Sequence, residues 1–97
     1  MTIDFHAEVD KRKEALMEDL FGLLRINSER DDSKADEKHP FGPGPVKALE
    51  HFLALAERDG YKTRNIDNYA GDFEFGQGDE VLGIFAHLDV VPAGSGW

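Results

Sequence analysis

The sequence predicts an α/β arrangement, two helices followed by three strands of a mixed sheet, across residues 1–97 as one unit. Three observations carry it. Apolar residues recur at spacings of three and four from Leu16 to Leu24 and again from Val46 to Ala56, the period of helices that bury one face. Short runs at 61–66 and 72–75 then change to strand-like patterning. Last, Val81-Leu-Gly-Ile-Phe-Ala86 carries no charge at all, as a strand covered on both faces does.

The first helix is expected from about Asp4 to Ile26. Leu16, Leu20, Leu23 and Leu24, with Met17 and Phe21, form a wide apolar stripe, while Glu14, Glu18, Asp19 and Arg25 take the other side. Asp4 suits the N-cap and Asn27-Ser28 the stop. The stripe reads as core packing, and His6 as a solvated side chain. Residues 29–44 read as a loop. Glu29 to Lys38 mixes charges of both signs and buries nothing, so it is a solvated face or mobile segment. His39-Pro-Phe-Gly-Pro-Gly-Pro45 is rich in turn residues, with Phe41 as its one anchor. His39 reads as surface.

The second helix is expected from about Pro45 to Asp59. Proline suits the first helical position, because the N–H it lacks would be unpaired there. Val46, Leu49, Phe52, Leu53 and Ala56 make the buried face, and Gly60 ends the helix in the left-handed conformation. His51 sits beside that face as a partly exposed structural residue. Strands are expected at Tyr61–Ile66, near an edge, and at Asp72–Phe75, with Phe73 and Phe75 inward. Asp67 to Gly71 turns between them, and Gly76-Gln-Gly-Asp79 turns into the strand Val81–Ala86. Gly76 and Gly78 lack the spacing and following helix of a phosphate-binding loop.

Composition narrows the function classes. The formal net charge is −9 over 97 residues. An acidic surface argues against nucleic acid and anionic membrane as partners, since both select basic patches. There is no cysteine, hence no disulfide framework and no thiolate metal site; any metal is held by histidine and carboxylates. The N-terminus has no basic start followed by an apolar run, and no apolar stretch approaches the ~20 residues of a membrane span. These features suit a cytoplasmic protein.

Chemistry concentrates after the last strand. His87 and Asp89 lie two residues apart, so in extended chain both side chains leave the same face. Pro92, Gly94 and Gly96 then open a loop. Loops at the ends of buried strands are where α/β proteins place their sites.

His87-Leu-Asp-Val-Val-Pro-Ala-Gly-Ser-Gly-Trp97 closely resembles the first metal-site motif of the M20 family of zinc peptidases and amidohydrolases. The resemblance reaches back through Arg58-Asp-Gly-Tyr61, Asn68-Tyr-Ala-Gly-Asp72 and Phe75-Gly-Gln-Gly-Asp79. Gly42-Pro-Gly-Pro-Val46 is similar to a segment of the bacterial PepV-type dipeptidases within that family. It implies the N-terminal part of an M20-type catalytic domain acting on small peptides with two zinc ions. By that resemblance His87 is a ligand to one zinc and Asp89 the partner that orients its imidazole and raises its basicity. The motif reaches the last residue, Trp97, and such an enzyme needs further ligands and a general base. The expectation is therefore an N-terminal fragment of a longer dipeptidase, inactive alone. Two other readings stay open: an amidohydrolase of N-acyl amino acids, similar to succinyl-diaminopimelate desuccinylase, and a parent that kept the fold and lost catalysis. An apolar strand without neighbours also predicts self-association through an exposed sheet edge.

Overall fold

The structure, a computed structural model describing residues 2–97, contains helices α1 (Phe5–Leu24) and α2 (Pro43–Arg58) and strands β1 (Thr63–Ile66) and β2 (Ala70–Phe73). A single 3-10 turn, Asp32–Lys34, lies between the helices. The core is built on α2. Its Val46, Ala48, Leu49, Leu53 and Ala56 are the buried apolar residues of the molecule as described. Four of these are the residues that the helical periodicity selects. Phe52 is only partly covered, resting against Phe73 with ring centroids 6.0 Å apart.

α2 starts two residues before the expected Pro45, because Pro43 takes the first helical position after Gly42, which has φ 95°. Pro45 is tolerated inside the first turn, where N–H groups have no intrahelical partner in any case. The helix closes as the sequence predicts. Gly60 at φ 92° lets its own N–H reach the Glu57 carbonyl at 3.0 Å, and the Tyr61 N–H reach that of Ala56 at 3.0 Å. This paired 5→2 and 6→1 closure satisfies two of the terminal carbonyls.

α1 begins at its expected cap, where the Asp4 carboxylate accepts the Ala7 N–H at 3.1 Å. Its packing departs from expectation. No residue of α1 is buried, and Leu16, Leu20, Phe21 and Leu24 are all exposed. The reason is a shortage of partners: Leu49 and Leu53 of α2 lie over Gly71 of β2, so no apolar layer faces the α1 stripe among the described residues. What joins α1 to α2 is narrower. Arg58 grips Asp19 with two parallel hydrogen bonds of 2.9 Å, and the His51 ring lies over Gly22, where a Cβ would sit 3.1 Å from Nε2.

β1 and β2 form one antiparallel hairpin in the register Thr63↔Phe73 to Ile66↔Ala70. The turn is tighter and earlier than expected. Asp67 and Asn68 both adopt left-handed backbone, at φ 52° and 63°, and the Tyr69 N–H bonds to the Ile66 carbonyl at 2.9 Å. Asp and Asn tolerate that conformation better than other non-glycine residues. The early turn sets the second strand at Ala70–Phe73 rather than Asp72–Phe75 and shortens the first to Thr63–Ile66. Neither Phe73 nor Phe75 is inward as expected: Phe73 packs on Tyr61, centroids 5.2 Å apart, yet stays 38% exposed, and Phe75 lies past the strand at 86%, because no further layer among the described residues closes over the hairpin.

The third strand does not form. Residues 81–86 have no regular structure, and Val81, Leu82, Ile84 and Phe85 are each at least 87% exposed. A strand that is apolar on both faces needs a hydrogen-bonded neighbour and cover on each face. None of the described residues provides these. The Cα radius of gyration is 16.3 Å, against about 12.5 Å for a close-packed domain of this length, which reflects the extension of the final segment.

Candidate functional site

His87 and Asp89 come together as the spacing predicts. The His87 Nδ1 lies 3.0 Å from the Asp89 backbone carbonyl and 3.2 Å from its Oδ1. With both acceptors on Nδ1, that nitrogen carries the proton and donates, and Nε2 is left as the free lone-pair position. The pair is open to solvent, with side-chain exposures of 84% and 54%. The ring is met on its Nδ1 side by two Asp89 oxygens, the backbone carbonyl the nearer; a carboxylate so placed is able to support a metal-binding histidine.

The pair is held to the rest of the fold through one neighbour. The Val90 N–H bonds to the Ser28 carbonyl at 3.4 Å, and Glu29 and Val90 form a parallel β-bridge. Ser28 is the one buried polar residue among the described residues, at 3% exposure. The loop expected at 29–44 is therefore more ordered than its charge suggests. Asp31 accepts the Ser33 N–H at 3.1 Å. Asp36 accepts N–H groups from Lys38 at 2.9 Å and His39 at 2.7 Å. Side-chain caps of this kind give a polar run local structure without burial. Beyond Val90 the chain turns through Gly94 and Gly96, both at positive φ, and the Trp97 indole N–H closes the turn on the Ala93 carbonyl at 2.6 Å.

The other histidines are placed apart from this pair. His6 lies exposed in the first turn of α1. His39 donates through Nδ1 to the Asp36 carboxylate at 2.8 Å, and that hydrogen bond holds the Asp36 carboxyl below its usual range. Phe41 and Tyr69 pack edge-to-face beside it, centroids 5.4 Å apart. His51 is half-buried between the helices with its Nε2 covered and unpaired. Nearby, the hydrogen bonds from Arg58 hold Asp19 below the ordinary carboxylate range.

No group of three or more His, Asp or Glu side chains converges on one point among the described residues. A structural or catalytic zinc site takes three or four protein ligands. The residues fit zinc in part: His87, with its ring held by Asp89, can supply one ligand, and the described residues do not close a site around it. Sequence reasoning found this pair but missed its support, the buried Ser28 backbone. That support joins backbone groups and leaves no side-chain signature in the sequence.

No known family model matches the chain. It is similar to curated bacterial proteins. A "putative dipeptidase" of Staphylococcus haemolyticus is 50% identical over 90 residues, 93% of this chain and 19% of the relative. Proteins of the same name from Staphylococcus aureus strains USA300 and NCTC 8325 are each 51% identical over 90 residues, again 93% of this chain and 19% of the relative. The chain thus spans about a fifth of the length of the curated relatives it matches.

Proposed function

We propose that this chain contributes one wall and one metal ligand to a cytoplasmic dipeptidase of the M20 type, a dinuclear zinc enzyme that hydrolyses dipeptides with a free amino terminus. The observation that carries the reading is the His87 Nδ1 contact to Asp89, set within a segment that resembles the M20 metal motif. Half-identity to proteins named for dipeptidase activity supports the reaction class. No helix among the described residues is long and apolar enough to cross a membrane.

In this reading the His87 Nε2 lone pair faces the metal. The Asp89 carboxylate accepts the Nδ1 proton, fixes the ring plane and raises the basicity of Nε2. His87 would hold such a zinc ion, which would supply Lewis-acid chemistry at the site, making water more acidic and a peptide carbonyl more electrophilic. The turn from Pro92 to Trp97, closed by the indole on Ala93, borders the substrate. The partner is a small peptide, and the net charge of −9 disfavours nucleic acid. The remaining ligands and the general base lie on the polypeptide of the longer protein.

The test is turnover of dipeptides and of N-acyl amino acids by that longer protein, side by side. Dipeptides alone should be cleaved. Release of acyl groups in preference to amino acids would move the assignment to an amidohydrolase, and turnover of neither would refute an enzymatic reading.

A further inference from the structure

The backbone of Asn27 to Asp31 is squeezed between two parts of the chain that sequence separates. On one side lies the corner Gly42-Pro-Gly44 at the start of α2. A Cβ on Gly44 would overlap the Asn27 carbonyl oxygen and stand 3.3 Å from Ser28 Cα. A Cβ on Gly42 would stand 2.8 Å from the Asp31 carbonyl oxygen, and the Asp31 N–H bonds to the Phe41 carbonyl at 3.0 Å. All of these opposing atoms are backbone, so none can rotate aside. On the other side lies Val90, whose N–H rests on the Ser28 carbonyl at 3.4 Å. Val90 follows Asp89 directly, and Asp89 holds His87.

We propose that Gly44 is a positioning residue for the His87–Asp89 pair: the bare Gly42–Gly44 corner fixes the Asn27–Glu29 backbone, which in turn fixes Val90. The consequence for catalysis rests on the peptidase reading above, while the mechanical link does not. A methyl group at position 44 requires the Asn27 carbonyl to withdraw by about 1 Å to regain ordinary contact. The Ser28–Val90 hydrogen bond is long at 3.4 Å and is shared with the Glu29–Val90 bridge, so a further shift of about 1 Å takes it out of hydrogen-bond range. Gly44 lies inside a helix with no positive φ, so the effect of Gly44→Ala comes from the close approach and not from backbone strain.

The link is read by NMR on the 97-residue chain. Cross-strand NOEs between Glu29 and Val90 backbone protons are expected in the parent and lost in Gly44→Ala, while amide contacts within α2 and across the hairpin persist. Ala54→Gly, an exposed site in α2, is the control: it loosens the same helix and should leave the Glu29–Val90 NOEs in place. Absence of these NOEs in the parent, their survival in Gly44→Ala, or their loss in Ala54→Gly overturns the proposal. Should Gly44→Ala undo α2 itself, Val90→Pro reads the link from the other side. It deletes the donor N–H with α2 untouched, and order parameters for residues 87–89 should fall to those of 79–82; unchanged order overturns the proposal. In the longer protein, Gly44→Ala should lower kcat for a dipeptide at least tenfold with KM within twofold. An inactive parent protein would refute the peptidase reading and leave the NMR result standing. Unchanged kcat in an active parent would refute the positioning role.

Discussion

Leu53→Ala and Leu16→Ala are the same chemical change on two helices that each carry an apolar stripe, yet the structure assigns them different costs. Leu53 is 6% exposed and its Cδ1 lies over Gly71 of the hairpin, whereas Leu16 is 57% exposed. Truncating Leu53 takes three carbons out of the core at ~0.8 kcal/mol each, a loss of about 2.5 kcal/mol. That is near the low end for buried leucines, because no large side chain here is fully enclosed and neighbours can close part of the gap. Truncating Leu16 should cost under about 0.5 kcal/mol, the usual range for a surface site. For a chain this small, with a urea slope of about 1–2 kcal/mol per molar, the Leu53 variant should unfold at a midpoint lower by about 1.2–2.5 M. Urea titration followed by far-UV circular dichroism reads both variants. Equal losses would refute the reasoning, since they would mean that the α1 stripe is packed core rather than an open face.

Other consequences are checked as directly. Asp19, Asp31, Asp36 and Glu8 are each held below the ordinary carboxylate range, chiefly by hydrogen bonds from Arg58, Ser33, His39 and Arg12 respectively. A depressed folded-state pKa gives stability that is complete above the unfolded value near ~4 and is lost as pH falls through the folded value. The urea midpoint should therefore stay level from neutral pH to about 5 and drop below about 4, with a shallower drop in Asp19→Asn; a level midpoint down to about pH 2 would contradict this. The exposed run Val81, Leu82, Ile84 and Phe85 should make the chain self-associate as concentration rises. Light scattering should detect this and find it reduced in Phe85→Lys, whereas a monodisperse parent at high concentration would refute it. Because no three His, Asp or Glu side chains converge among the described residues, the 97-residue chain should bind zinc only weakly in calorimetric titration, and a tight one-to-one site would point to His6, His39 or His51 joining His87.

What the sequence revealed is what local rules determine. The α2 face from Val46 to Ala56, its closure at Gly60 and the Asp4 cap all follow from spacing and terminal chemistry that act within a few residues. The hairpin was legible as a pair of strands but not in its bounds, because the left-handed pair Asp67 and Asn68 completes the turn sooner than the five-residue turn expected from Asp67 to Gly71. Readings that depend on distant partners fared differently. The α1 stripe and the Val81–Ala86 run carry the right pattern for burial, but a pattern states only what a segment requires. At the candidate site, the His87–Asp89 contact was legible because two residues in extended chain share a face. The Ser28–Val90 bond was not, since it joins backbone groups that leave no signature in side-chain chemistry.

The most direct measurement is zinc content together with kcat in the longer protein carrying this chain, for His87→Ala and Asp89→Asn. His87→Ala should lose one zinc per chain and nearly all activity. Asp89→Asn should retain much of the metal, because an amide oxygen still accepts from Nδ1, while affinity or activity falls by about 10–100-fold for want of the carboxylate charge. Two zinc ions retained in His87→Ala, or an Asp89→Asn protein indistinguishable from the parent, would contradict the account and leave the pair a hydrogen-bonded surface contact.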